Sequence, residues 1–372
     1  MSATQKISVG VIARNEEAGI AAALESFLKQ SIFRSAKVLE CETELIVLAG
    51  GCTDRTVEVT EEFFKKAHRE FPEGSPVRLR IETVPEAGFA NVLNQLTHTY
   101  SRPDADFIYF VNAGIVLDQD DVFELMLRSL QKDYGIKVVL PVGRKLIEAS
   151  KCKSLVDRLD LAATRFTKRN RTWPVCGRCF CARAAALRTV WMPKYFPGAV
   201  DSCFKRMIIS DMAAVPDNPA RLGTAQATGY TFEAGRTFRD IYSGRVRLFI
   251  GQTFIETLMQ HLKTMRTEQP KLNLTSYLRV RDETDSSWLH RLVQLNIHVN
   301  GLFATMPSPW LRLRFWRNPE INMFKKLVML PVAVIAVIFD VPVFLTAAWR
   351  LKTGRVADVW KDTGSWELWA EQ

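Results

Sequence analysis

The chain has 372 residues, of which 47% are hydrophobic and 24% are charged. These ordinary values exclude a largely disordered chain, and the length favours two or three modules. The net charge of +10 favours anionic partners such as phosphates, nucleic acid or an acidic lipid surface, although a basic surface without a partner gives the same number. The 7 cysteines exclude the disulfide framework of a small secreted domain and favour reduced thiols.

A secretory signal is not expected at the N-terminus. Residues 1–6 are polar, and an apolar stretch begins at Ile7 without the charged region and long apolar region that such a signal needs. The sequence therefore predicts that the N-terminal domain lies in the cytoplasm.

Apolar runs alternate with helical patterns through the N-terminal part of the chain. The predicted strands are residues 7–13, 45–49, 78–84, 106–111 and 137–141, and the predicted helices follow from Asn15, from Thr53-Asp54, from Ala87 and from Asp120. This order is typical of an α/β fold, a Rossmann-like and mostly parallel sheet flanked by helices. Ligands bind beyond the carboxyl ends of such strands, which singles out the loops at residues 13–17, 49–54 and 111–115.

The rest of the chain is predicted to be mainly helical. The alternation weakens from about residue 150 to 225, and residues 236–308 show an amphipathic helical pattern rich in Arg and Lys. We therefore predict an α/β domain over residues 1–235, a helical region over 236–308 and a membrane-interface segment over 309–372.

The C-terminal segment has the composition of a membrane-associated region. Residues 310–317 interleave aromatics with arginines, which suits stacked nucleic-acid bases or, better, the headgroup level of a membrane. Residues 327–349 are almost all apolar, and a helix of that length spans about 34 Å, enough for a hydrocarbon core of about 30 Å. Pro331 and Pro342 favour kinks, and Asp340 would cost about 3 kcal/mol near the bilayer centre. Spanning, re-entrant and surface-lying helices, and a buried core helix, all stay open.

A series of short motifs runs from residue 12 to residue 251. They are Ile-Ala-Arg-Asn-Glu-Glu at 12–17, Ser-Phe-Leu-Lys-Gln at 26–30, Gly-Cys-Thr-Asp-Arg-Thr at 51–56, Gly88 with Asn94, Gly-Arg-Cys-Phe-Cys-Ala-Arg at 177–183, Ala-Val-Asp at 199–201 with Phe204, and Arg-Val-Arg-Leu at 245–248 with Gly251. In this order they resemble the family 2 glycosyltransferases, which have the GT-A fold. The resemblance covers roughly residues 5–255 and implies transfer of a sugar with inversion at the anomeric centre.

The resemblance also assigns site residues. It implies that Asp201 is the general base that takes the proton of an acceptor hydroxyl; a helix N-cap is the other interpretation of this residue. The residues that it places near the donor and its diphosphate are Arg14, Asn15, Glu16, Asp54, Asn112, Arg245 and Arg247. Capping of a helix is the other interpretation of Asn15, Glu16 and Asp54. Arg14, Arg245 and Arg247 are the cations that could neutralise a leaving diphosphate.

The sequence departs from the family pattern where the nucleotide and metal are held. Ala49 and Gly50 replace acidic residues, Phe89 replaces a lysine, and Asn112 and Gly114 replace the Asp-x-Asp that binds Mg²⁺ or Mn²⁺. Asp104 and Asp106 have that spacing but stand at the wrong end of a strand. We therefore predict no metal site, although the family implies one.

Three cysteines form a Cys-x-x-Cys-x-Cys run at residues 176–181. A structural zinc site usually takes four ligands, and a fourth at suitable spacing is not evident. We therefore interpret Cys176, Cys179 and Cys181 as packed free thiols.

Two functions follow from these observations. The first is an enzyme of the hexosyltransferase type that moves a sugar from a nucleotide- or lipid-linked donor to a membrane-linked or polysaccharide acceptor. The second is a catalytically inactive GT-A protein that serves as a partner subunit or binding module at the membrane. Nucleic-acid binding through the basic helices is disfavoured.

Overall fold

The computed structural model describes residues 4–36, 39–72, 75–86, 88–145, 177–232, 238–319 and 321–356. Its N-terminal part alternates strands with helices where the apolar runs predicted them. These elements are β1 (Gln5–Ala13), α1 (Ile20–Leu28), α2 (Ser31–Arg34), β2 (Cys41–Gly50), α3 (Thr56–Ala67), β3 (Val77–Val84), α4 (Phe89–Gln95), β4 (Phe107–Asn112), β5 (Val116–Leu117), α5 (Val122–Lys132) and β6 (Val138–Lys145). The α/β class is confirmed, and Ala87 lies outside the described residues.

The second part of the chain adds two strands and then only helices among the described residues. These elements are β7 (Cys179–Arg183), α6 (Ala184–Leu187), α7 (Val200–Ser210), β8 (Leu222–Phe232), α8 (Phe238–Glu268), α9 (Leu274–Thr284), α10 (Trp288–Asn300), α11 (Leu302–Thr305) and α12 (Met323–Thr353). The predicted boundary at residue 235 falls within 233–237, outside the described part of the chain. The predicted helical region, residues 236–308, contains α8, α9, α10 and α11.

The described strands form one sheet in the order β3-β2-β1-β4-β7-β6-β8-β5. The half from β3 to β4 is parallel, whereas β7 runs antiparallel to both β4 and β6, and β5 runs antiparallel to β8. Strand β1 pairs in register with both neighbours, so Ala13 lies beside Ala49 and Ile12 lies beside Asn112. The carboxyl ends of β1, β2 and β4 therefore meet at one edge, where the predicted loops begin.

Aromatic packing fixes α7 against the sheet. Phe110 of β4 stacks on Phe180 of β7 with ring centroids 5.1 Å apart, and Phe180 stacks on Phe204 of α7 at 4.9 Å. All three side chains are fully buried, and aromatic pairs of this kind add about 0.5–1.5 kcal/mol beyond their buried area. The first turn of α7, with Asp201, is thereby held near the end of β4.

Helix α12 is the one helix of the described residues that is long and apolar enough to cross a membrane, and it contains Pro331 and Pro342. One side of it packs on α8. The Asp340 carboxylate is 1% exposed and accepts hydrogen bonds from Arg245 at 2.8 and 3.0 Å. This pairing offsets the cost of burying the charge.

Two cysteines of the predicted run lie on β7. Cys179 and Cys181 are free thiols with no exposed surface, and burial raises the pKa of both. The interpretation as packed thiols is confirmed for these two residues. Cys176 lies outside the described residues.

Candidate active site

The loops after β1 and β2 are joined by side-chain hydrogen bonds. The Asn15 Oδ1 accepts a hydrogen bond from the backbone N–H of Thr53 (2.8 Å). The backbone N–H of Glu17 donates to Asp54 (3.0 Å), and the Glu17 carboxylate accepts from the N–H of Arg55 (3.0 Å). The two loops therefore form one rigid surface at the edge of the sheet.

Asn15 does not cap the first helix, so that prediction was wrong. Helix α1 begins at Ile20, with Gly19 at its N-cap. Asn15 instead has a φ of 54°, a left-handed conformation that Asn tolerates better than most residues. In contrast, Asp54 does act at a helix end, because its Oδ1 accepts from the backbone N–H of Thr56 (3.1 Å), the first residue of α3.

Glu16 is the most perturbed acid on this surface. Its backbone N–H donates to the Thr56 hydroxyl (2.7 Å), while its Oε1 is buried without a hydrogen-bond partner among the described residues. Burial, and secondarily the charge of Asp54, raise the pKa of Glu16 to about 7. Near neutral pH this carboxyl can therefore either donate a hydrogen bond or accept one.

The end of β4 lies beside β1 and β7. The Asn112 N–H donates to the carbonyl of Arg178 (2.8 Å), and the Ala113 N–H donates to the carbonyl of Ile12 (2.9 Å). The Asn112 side chain is buried, and its Oδ1 accepts from the N–H of Gly114 (2.8 Å). Asn112 therefore shapes a tight turn at the position that the family resemblance gives to a metal ligand.

This turn does not suit a divalent cation. Mg²⁺ and Mn²⁺ prefer carboxylates among protein ligands, but Asn112 brings no charge, its only side-chain oxygen is already engaged, and Gly114 has no side chain. A cluster of three or more His, Cys, Asp or Glu side chains fit to hold a metal does not occur in the described part of the chain. Asp104 binds Lys6 and Arg102 at the opposite edge of the sheet.

Asp201 lies in the first turn of α7, next to the start of β7. It is not an N-cap, because Ala199 occupies that position. The side chain is half-buried, and burial raises its pKa, while hydrogen bonds from backbone N–H groups, including that of Ser202, and the charge of Lys205 oppose the rise. A Cβ on Gly177 would lie 3.4 Å from the Asp201 Cβ. Gly177 therefore lies close to Asp201, and the next residue, Arg178, accepts the hydrogen bond from the Asn112 N–H.

The turn before Asp201 rests on helix α8. A Cβ on Gly251 would lie 2.3 Å from the carbonyl oxygen of Gly198, and a Cβ on Gly198 would lie 2.7 Å from the carbonyl oxygen of Arg247. Such distances are shorter than real Cβ atoms show, so only glycine fits at either position. Ala199 follows with a φ of 53°. The backbone around Arg247 thus defines where α7 begins.

The segment that leads to this turn is anchored by residues that sequence patterns did not identify. Asp282 accepts hydrogen bonds from the indole N–H groups of Trp191 (2.8 Å) and Trp288 (2.7 Å) and from the backbone N–H of Lys194 (3.0 Å). It is buried, and burial raises its pKa, against these hydrogen bonds. The pairing joins residues far apart in sequence, so no local pattern reveals it.

Asn94 holds the same segment from the other side. Its side-chain amide donates to the carbonyl of Met192 (2.7 Å) and accepts from the N–H of Met192 (3.0 Å). The family motif had singled out Asn94 without giving it a role. His98 adds a hydrogen bond to the carbonyl of Val190 (2.9 Å).

The predicted arginines separate in the structure. Arg14 follows β1 and lies near Cys52. Burial raises the pKa of the Cys52 thiol, and the positive charge of Arg14 partly opposes that rise. The backbone carbonyl of Arg247 on α8 packs against Gly198 in the turn before Asp201, while the guanidinium of Arg245 pairs with Asp340 on α12. Arg14, Asn15, Glu16 and Asp54 therefore lie in the two joined loops after β1 and β2, and Asn112 lies beside Ile12 of β1. Asp201 lies close to Gly177, and Arg245 is engaged with α12.

Comparison with known proteins agrees with this architecture. Residues 8–191 match the model of the family described as Glycosyl transferase family 2. No curated protein matches the sequence closely enough to be called a relative. Among solved structures, the chain is similar to the mannosyltransferase PcManGT of Pyrobaculum calidifontis in complex with GDP-Man and Mn²⁺ (16% identity, 96% of this chain and 88% of that chain, TM-score 0.47).

Other solved structures show a similar level of likeness. Glucosyl-3-phosphoglycerate synthase of Mycobacterium tuberculosis, in complex with Mn²⁺ and UDP-glucose, shares 18% identity over 66% of this chain and 77% of that chain, with a TM-score of 0.43. TarS 1–349 of S. aureus shares 14% over 94% of this chain and 92% of that chain, also with a TM-score of 0.43. The sequence motifs, the sheet and the family match converge: residues 8–191 of this chain belong to glycosyltransferase family 2 and have its GT-A fold.

Proposed function

We propose that the chain is an inverting glycosyltransferase of the hexosyltransferase type. It would move a sugar from a nucleotide- or lipid-linked donor to a membrane-linked or polysaccharide acceptor. The observation that carries this proposal is the Asp201 carboxyl, half-buried in the first turn of α7 and connected through Gly177 and Arg178 to the end of β4. The family match supports the reaction class.

In the proposed reaction the acceptor hydroxyl oxygen attacks the anomeric carbon. The bond from that carbon to the donor phosphate oxygen breaks, and the leaving diphosphate takes the electron pair. Asp201 takes the proton of the attacking hydroxyl. Its raised pKa suits this role, because a base whose pKa approaches the working pH accepts a proton more readily than an ordinary Asp carboxylate.

Donor binding would use the joined loops after β1 and β2. Asn15 and Asp54 form hydrogen bonds that join the two loops. Their proposed role is therefore to hold the loops in place beneath the donor. Glu16 and Arg14 stand on the same surface. Arg14 and Arg247 are the cations that would neutralise the diphosphate; Arg245 would reach it only by leaving Asp340.

We propose no metal at this site. The family implies Mg²⁺ or Mn²⁺, but the turn at Asn112 and Gly114 offers no carboxylate ligand. The protein would also be membrane-associated through α12, with the N-terminal domain on the cytoplasmic side, and would not bind nucleic acid.

A second function is favoured by one structural feature. Phe89, which replaces the family lysine, is buried against Phe110 with ring centroids 4.9 Å apart, so this position is built into the core rather than turned to a ligand. Together with Ala49 and Gly50, this supports a catalytically inactive GT-A partner subunit or binding module.

Thermal unfolding with a panel of nucleotide sugars, followed by a transfer assay with the same compounds, separates the two functions. A donor present at 100 times its Kd should add about 2.7 kcal/mol to the free energy of unfolding. Stabilisation together with transfer to a lipid or glycan acceptor supports the enzyme. Stabilisation without transfer to any acceptor supports the binding module, and no stabilisation by any donor contradicts the proposed donor surface.

A further inference from the structure

Helix α12 has two faces that run along its length. The face toward the protein contains the buried side chains of Val337, Asp340, Val343, Ala347 and Leu351. The opposite face contains large apolar side chains that are more than half exposed, among them those of Phe324, Leu327, Ile335, Ile338, Leu345 and Trp349. Both sets recur mostly every three or four residues, so each forms a stripe parallel to the helix axis. We call the second set the exposed stripe.

The buried stripe is bound to α8 by polar and aromatic contacts. Arg245 forms its ion pair with Asp340. The Tyr242 hydroxyl donates to the carbonyl of Pro342 (3.0 Å), and a hydrogen bond of 2.7 Å joins it to the Thr346 hydroxyl. These contacts fall at residues 340–346, inside the apolar run that a crossing helix would place in hydrocarbon.

These contacts make it costly for a docked α12 to cross a bilayer. If α12 crossed the bilayer, either the ion pair between Arg245 and Asp340 would break or α8 would enter the hydrocarbon together with α12. Helix α8 also packs on the N-terminal α/β domain, because Gly251 of α8 contacts Gly198 in the turn before Asp201. Unpaired charges and polar groups are costly in hydrocarbon. The geometry that satisfies both faces is a helix lying flat, with the protein on one side and lipid on the other.

The charges around the exposed stripe identify the kind of membrane. Residues 309–356 contain eight Lys and Arg but only two acids, Glu320 and Asp340, and the carboxylate of Asp340 is paired with Arg245. The basic residues at the two ends of α12 are Arg317, Lys325, Lys326, Arg350, Lys352 and Arg355. Two exposed indoles, of Trp310 and Trp316, precede the helix, and such side chains favour the headgroup level.

We infer that α12 lies in the surface of an anionic bilayer with its exposed stripe among the acyl chains, so that the catalytic domain and the C-terminus of the protein stay on the same side. The basic side chains at both ends contact the anionic headgroups. This inference concerns attachment and is independent of the proposed transfer reaction, so a binding experiment decides it whether or not the protein is an enzyme.

The first test is co-flotation of the purified full-length protein with vesicles. We expect binding to vesicles of phosphatidylcholine with phosphatidylglycerol, and at least about tenfold weaker binding to phosphatidylcholine alone. Ile335→Glu should weaken binding to the anionic vesicles at least about tenfold, because it places a charge on the exposed stripe. The matched control is Val280→Glu, an equally helical and 55% exposed position on α9, which should bind as wild type does. Circular dichroism and thermal unfolding show whether each variant is folded.

The second test is protease access to an epitope added after residue 372, with the protein bound to the outside of sealed vesicles. A flat helix leaves the epitope outside, where added protease removes it. An epitope protected until detergent is added would mean that the helix crosses, and would overturn the inference. Absence of binding, equal binding to both kinds of vesicle, or unchanged binding of Ile335→Glu would overturn it as well.

Discussion

Replacement of Glu16 by Gln tests the electrostatics of the loop surface. In the folded protein, burial and the neighbouring Asp54 raise the pKa of Glu16 from 4.5 to about 7. Between these pH values the folded protein keeps a proton that the unfolded protein has lost. The free energy of unfolding therefore falls as pH rises from about 4.5 to about 7, by at most about 3 kcal/mol, and is constant above.

Glu16→Gln should remove this fall, because an amide does not titrate. The free energy of unfolding of the variant minus that of the wild type should be about 2–3 kcal/mol larger at about pH 8 than at about pH 4.5. Urea unfolding of both proteins at both pH values measures this difference. Any fixed cost of the amide cancels in that difference. Glu62→Gln, at an exposed position on α3, is the control and should change the difference far less. A gain below about 1 kcal/mol for Glu16→Gln would refute the argument from burial.

Three further predictions concern the helices and the metal. Asp340→Asn leaves Arg245 without its ion-pair partner and should lower the free energy of unfolding by about 2–4 kcal/mol. A loss under about 1 kcal/mol, which is typical of surface ion pairs, would contradict a stabilising role of this pair. Gly251→Ala forces a Cβ against the carbonyl of Gly198 and should reduce both stability, by about 1–3 kcal/mol, and transfer, whereas Gly244→Ala on the same helix has nothing within 4 Å and should cost nothing. EDTA should leave transfer unchanged because Asn112 supplies no carboxylate, and full loss restored by micromolar Mn²⁺ would contradict this.

The parallel half of the sheet followed directly from the sequence. Runs of consecutive apolar residues, bounded by Gly, Asn and Asp, predict buried strands, and the structure places β1, β2 and β4 there. The role of Asp201 as a general base stays a prediction. Local periodicity and short motifs carry this information because both depend on residues that are neighbours in the chain.

Contacts between distant residues were beyond such reasoning. The pair of Arg245 with Asp340 and the hydrogen bonds of Asp282 to Trp191 and Trp288 depend on tertiary packing. Asn15 was predicted as a cap, since its side chain suits that role, but the loop after β2 offers its oxygen a better donor in the N–H of Thr53. The sequence marked Asp340 as costly for a helix at the bilayer centre but could not reveal its partner, Arg245 on α8.

Asp201, the proposed proton acceptor, is central to the proposed mechanism. Asp201→Asn keeps the size of the side chain but cannot accept a proton near neutral pH, so the rate of sugar transfer should fall by about 10²-fold or more. Donor binding and melting temperature should hardly change, since the base acts on the acceptor. Asp211→Asn, at the exposed C-terminal end of the same helix, is the matched control and should transfer as wild type does.

The decisive measurement is the initial rate of transfer from a labelled nucleotide sugar to a lipid or glycan acceptor, compared between the wild-type protein and Asp201→Asn at equal amounts of folded protein. We expect clear transfer by the wild type and a loss of about 10²-fold in the variant. Equal transfer by the two proteins would contradict the role of Asp201 as the base.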